Sequence, residues 1–135
     1  MPIALSDGLS VELAIACEDV REERGNKISV MGMFTDQIAV AQFPADIRIA
    51  FFFTVRSDKA QEVILKTRIT VDGEIAGHAH MQLSPTETAS LGNVIVPLGF
   101  VRMSTDGYFA LSMAVGESEN WVEVIRKTVS IGQVT

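Results

Sequence analysis

The chain has 135 residues, a formal charge of −6 and a sequence pI near 4.8, a balance that opposes a phosphate backbone or an anionic membrane face, because neither can release counterions to a chain with no basic field. Nucleic acid and membrane are therefore set aside as partners. With 47% hydrophobic residues and a positive mean hydropathy, the composition excludes disorder, fits one domain able to bury a core without metals, and leaves apolar surface that subunits could bury between them.

In chain order, residues 1–10 are expected to be flexible or to add an edge segment. The start "MPIALSDGLS" has neither the basic region nor the long apolar stretch of a secretory signal. Val11 to Val20 reads as a strand with Leu13, Ile15 and Cys17 facing the core and Glu12, Ala14, Ala16 and Glu18 facing away. A Gly25-Asn26 turn would return the chain as Ile28 to Phe34, setting Asp19 opposite Gly32 and Cys17 opposite Phe34. "FPADIRIAFFFTVRS" begins at a turn and continues as a strand covered on both faces at its middle, Phe51 and Phe53 on one side and Phe52 on the other. Val63 to Val71 and Ile75 to Leu83 alternate around Asp72-Gly73. A three-residue loop ending in Gly73 would pair apolar with apolar, so His78 and His80 would share a face with Lys66 and Arg68. "SPTETASLGN" reads as a loop, and Val94 to Met103 as an edge or bulged strand because Pro97 cannot donate to a ladder. A last hairpin, with turns at Asp106-Gly107 and "GESEN", closes the chain. The longest apolar stretches, "IAFFFTV" and "VIVPLGFV", fall far short of the ~20 residues a membrane helix requires. About eight strands at intervals of roughly ten residues predict an all-β fold, a single-domain antiparallel β-sandwich over 1–135 with immunoglobulin-like or jelly-roll connectivity.

Residues able to carry chemistry are few. His78 and His80, at i and i+2 on a strand, face the same way and are weak candidates for a metal site. A third ligand would have to come from Glu74, Gln82 or Glu87, and Lys66 and Arg68 across the ladder would repel a cation. Cys17, the single cysteine, can form no internal disulfide, which points to a reducing, cytoplasmic setting, and on an apolar strand face it is expected to be buried and inert. Glu18 and Asp19 are neighbours in a strand and point to opposite faces, so they cannot act as an acid and base pair. Asp19 must find a partner, and Arg21 two residues on is the nearest. Cys17, Asp19, Arg21 and Gly32 thus form a structural cluster. The loop acids Asp36, Asp46, Asp72, Asp106, Glu117 and Glu119 are too dispersed for calcium. Trp121, Tyr108 and the Phe51 to Phe53 trio could form a carbohydrate platform, or simply pack.

Cys17, Glu18, Asp19, Val20 and Arg21, followed by Lys27, Gly32, Phe34, Phe43 and Pro44, resemble the opening of an uncharacterised bacterial family of small proteins catalogued as a domain of unknown function. The likeness runs through about the first 55 residues, matching a Cys-Glu/Asp-Asp-Val-Arg strand end, a Gly-x-Phe segment and a Phe-Pro. A late "GYFAL" adds to it. It implies a β-sandwich and no activity. High hydrophobicity with no catalytic set points separately to a non-enzymatic binding or assembly module, with no cofactor, acting on a protein partner or by self-association into a homo-oligomer. The alternatives are a small-molecule or carbohydrate-binding sandwich and a metal-dependent enzyme built on His78 and His80.

Overall fold

The computed structural model describes residues 2–6, 8–25, 27–83 and 90–132, none of them helical. β-Branched and aromatic residues in alternating runs, cut by Gly, Pro and Asp, give ten strands. They are β1 (Ile3–Ser6), β2 (Leu9–Glu23), β3 (Lys27–Met33), β4 (Gln37–Val40), β5 (Ala45–Ser57), β6 (Val63–Val71), β7 (Glu74–Leu83), β8 (Ser90–Met103), β9 (Gly107–Val115) and β10 (Val122–Ile131). The strand count exceeds the expected eight because β1 adds to the edge of β2 and β4 forms a short strand before Phe43-Pro44. Residues 1–10 thus supply an edge strand and the start of β2. Ser90 to Asn93 extend β8 backwards into what was expected to be a loop, and residues 84–89 lie outside the described ones.

One sheet has the order β1-β2-β5-β8, with β3 also on β2, and the other has the order β4-β10-β9-β6-β7. The hairpins β6–β7 and β9–β10 share a sheet, while the chain crosses between them to lay β8 beside β5. That is the Greek-key arrangement of an immunoglobulin-like sandwich rather than a jelly roll. Every pairing is antiparallel except that of β4 with β10.

The core lies between the sheets and centres on β5. Ile47, Ile49, Phe51, Phe53 and Val55 point inward and meet Leu65, Ile69, Phe109, Leu111 and Met113 of the facing sheet. Phe51 lies 6.0 Å from Phe53 and meets Phe109 edge-on at 6.4 Å, a geometry that adds to area burial. Burying each such ring is worth about 1.5–3 kcal/mol.

The first strand departs from its expected faces. Val11 pairs with Val55, but Leu13 pairs with Thr54, so Glu12 is an extra residue in β2. A one-residue bulge exchanges every later side chain between faces. Ala14 and Ala16, opposite Phe53 and Phe51, therefore face the core, where small side chains leave room for the rings. Leu13, Ile15 and Cys17 lie instead on the outer face with Phe52 and Ala50.

That outer face is itself covered in part, around Phe52 and Cys17, while Leu13 stays 46% exposed. Past Cys17, β2 leaves β5 and pairs only with β3, forming an arm. Glu22, Glu23, Lys27 and Ile28 of the arm stand across a cleft from Asn93 and Ile95 of β8, so the arm folds over the sheet. Beneath it Phe52 is 8% exposed and Cys17 fully buried. The strand β5 is covered on both sides, as its unbroken apolar run predicts.

Candidate functional site

The β6–β7 hairpin turns at Asp72-Gly73, with φ of 51° and 87°. Two positive central φ values define a type I′ turn, whose twist suits a two-residue hairpin. Thr70 accordingly faces Ile75, not the three-residue geometry expected from the pattern. The ladder then shifts at Ala76, so that Ile69 meets Gly77, Arg68 meets His78 and Lys66 meets His80. The bulge restores the face assignment, and His78 and His80 stand beside Arg68 and Lys66 on the outer face. Asp72 ties this turn to β9: its amide donates to the Tyr108 carbonyl, and its Oδ1 accepts from the Tyr108 amide, both at 2.9 Å.

The segment after β9 brings Trp121 over this face. Its ring lies 4.2 Å from the Arg68 guanidinium carbon and 5.2 Å from Lys66 Nζ, within the range of cation–π attraction. Trp121 Nε1 donates to Glu119 Oε2 at 3.1 Å. Lys66 Nζ donates to the Ser118 carbonyl at 2.9 Å and sits 3.8 Å from Glu119 Oε1. Glu119 thus fixes the indole and balances Lys66. Among the described residues Arg68 has no such balance, and its buried Nε has no acceptor. Trp121, Arg68, His78, His80 and Ile75 bound a hollow of about 270 Å³. Its cation and indole, 53 positions apart in the chain, could not be joined by spacing, although the alternation of β6 and β7 placed the remaining residues.

Among the described residues no three His, Cys, Asp or Glu side chains come together, and Glu87 lies outside them.

The cluster at the first hairpin sits elsewhere, on the arm. Asp19 Oδ2 lies 3.2 Å from Arg21 Nε and 3.6 Å from an Arg48 terminal nitrogen, while Oδ1 accepts from the Val20 amide at 3.0 Å. Arg21, opposed in part by desolvation and aided by Arg48 and Val20, holds the Asp19 carboxyl below the usual range. Asp19 is on the outer face because of the Glu12 bulge, and it faces Met31 rather than Gly32. The ladder is one residue out of the expected register because three residues separate Glu23 from Lys27; Asn26, one of them, lies outside the described residues. Gly32, at φ 64°, instead receives the side chain of Glu18 in the space a Cβ would fill. Cys17 is held by weak donation to the Asp19 and Ala50 carbonyls at 3.4 and 3.5 Å, and burial pushes its thiol up.

A third feature is the open side of the sandwich. Among the described residues, the strands β7 and β8 each pair on one side only. Between the β6–β7 turn and the end of β8 runs a groove of about 620 Å³ that includes Ile69, Val71, Ile75, Phe100 and Arg102. Phe100 is 70% exposed and Ile75 61%.

These features define an immunoglobulin-like β-sandwich with a cation–aromatic hollow on one face and two free strand edges beside it. The chain belongs to the family of unknown function DUF6941, whose profile matches residues 12–126. No curated protein sequence matches it. Among solved structures it is similar to part of the β-glucosidase EmGH1 from Erythrobacter marinus, at 16% identity and a TM-score of 0.42. The match covers 90% of this chain and 15% of the glucosidase. No helix among the described residues is long and apolar enough to cross a membrane.

Proposed function

We propose that the protein is a non-enzymatic binding module whose open side receives an extended segment of a protein partner. The observation that carries this reading is the free edge of β7. An exposed edge is ordinarily blunted by Lys, Pro or distortion, yet Gly77 to Leu83 runs in regular register and contains neither residue. A strand added there would gain main-chain hydrogen bonds, and its side chains would reach the groove where Phe100 and Ile75 stand exposed. The lone buried thiol of Cys17, with no disulfide, supports a cytoplasmic setting for this exchange.

The test compares two baits in lysate of the native host, the wild type and Phe100→Glu, by quantitative mass spectrometry. A stoichiometric protein retained by the first and lost by the second is expected. Equal recovery by both baits, or none by either, overturns the reading. A wild-type bait recovered as its own dimer would make the second strand another copy of this chain.

A further inference from the structure

We propose that the hollow beneath Trp121 is a binding site for an oxyanion, the carboxylate or phosphate group of a small metabolite, with Arg68 as its counter-charge. This goes beyond the strand-edge reading and does not rest on it.

The chain carries 17 acidic and 11 basic side chains, and among the described residues Arg24, Lys27 and Arg68 have no carboxylate partner, of which only Arg68 is not exposed. Arg21 and Arg48 pair with Asp19, Arg56 with Asp58, Arg102 with Asp46 and Arg126 with Glu123. Arg68 is half-buried and pairs with none of the described residues. Leaving a partly desolvated cation and its donors unmatched costs stability, a cost that a bound anion removes.

The surroundings fit that role. Trp121 stacks on the guanidinium and fixes its plane, and Glu119 fixes Trp121. Because Lys66 is already balanced by Glu119 and the Ser118 carbonyl, the hollow keeps about one net positive charge, that of Arg68. His78 and His80 line the same space and offer ring N–H donors. A planar fork of donors with a stacked indole favours the bidentate recognition of carboxylate or phosphate. The volume of about 270 Å³ sits just below the usual range of ligand clefts, which limits the occupant to metabolite size.

Trp121 is the only tryptophan, so its emission reports on the hollow. The full chain is titrated with inorganic phosphate, acetate and benzoate at constant ionic strength held with sodium chloride, reading emission and thermal shift. A saturable change with at least one of them is expected, and the preferred one separates a phosphate from a carboxylate occupant. Arg68→Gln should weaken binding by about tenfold or more, as loss of a charge-assisted donor predicts. Arg126→Gln, which disturbs the pair with Glu123 and the contact with the Tyr108 ring but none of the residues lining the hollow, should leave it unchanged. Should Arg68→Gln fail to fold, His78→Ala, at an exposed position, carries the same test and should weaken binding several-fold. No saturable response below roughly 10 mM, a response reproduced by chloride alone, or affinity unchanged in the folded variant overturns the proposal.

Discussion

Burial pushes the Cys17 thiol up, against a smaller pull from the Asp19 carbonyl, and a suppressed thiolate is a poor nucleophile. Alkylation of the native protein by iodoacetamide at mildly alkaline pH should therefore proceed only as fast as the chain opens, and denaturant should release it. Fast native labelling would contradict the burial. Asp19 responds to pH with a definite sign. A carboxyl whose folded pKa is depressed contributes stability above its unfolded pKa, and that contribution fades as pH falls through the folded value. The melting-temperature gap between wild type and Asp19→Asn should thus be widest near neutrality and close on acidification below the ordinary carboxylate range. A gap independent of pH, measured by calorimetry across the acid side, would remove the assignment. At Gly32 the left-handed backbone alone makes an alanine cost about 1–2 kcal/mol, and Glu18 must also swing aside. Gly92 has no positive φ and, among the described residues, nothing within 4 Å of its Cβ position, so Gly92→Ala serves as the control and should not destabilise.

The strands show how much of the architecture the sequence declares. The unbroken run around Phe51 to Phe53 announces a strand covered on both faces, and the alternation of β6 and β7 puts His78 and His80 on the face of Arg68 and Lys66. Truncating Phe53 to alanine should cost about 3–5 kcal/mol by chemical denaturation, while Phe100→Ala, exposed on β8, should stay within about 0.5 kcal/mol. A large loss at Phe100 would mean that the groove is closed in the folded chain. The faces of β2 were not legible, because the bulge at Glu12 belongs to its pairing with β5 and leaves no mark in Val11-Glu12-Leu13. One added residue there carries Cys17 and Asp19 from the core face to the outer one. The hollow was only half legible for a related reason. Periodicity places residues along one hairpin, but Trp121 arrives from a loop far along the chain, and the pairing of β6 with β9 decides what that loop covers.

Across the whole molecule, stability rests on the apolar core while the ion pairs are mostly exposed. Arg56 with Asp58, Arg102 with Asp46 and Arg126 with Glu123 all sit with substantial solvent access, and such pairs are worth about 0–1 kcal/mol each. Raising sodium chloride to about 1 M, where screening acts within about 3 Å, should therefore move the melting temperature little. A steep fall would show that charge, not burial, holds the sheets together. The two faces differ in kind. One outer surface is apolar and partly covered by the arm, with Leu13 left 46% exposed; the other is open and holds Trp121, Arg68 and the histidines.

The parallel seam between β4 and β10 joins Gln37–Val40 to Thr128–Ile131. Thr128 and Gly132 donate main-chain bonds to Asp36 and Val40 at 3.1 Å, and Lys127 Nζ lies 3.8 Å from Asp36 Oδ1. Tension drawing the beginning of β4 and the end of β10 apart runs along both strands in opposite senses. The seam is then loaded in shear, its bonds bearing the strain together instead of parting one after another like a zip, so this short patch would act as a mechanical latch between the early and late parts of the chain.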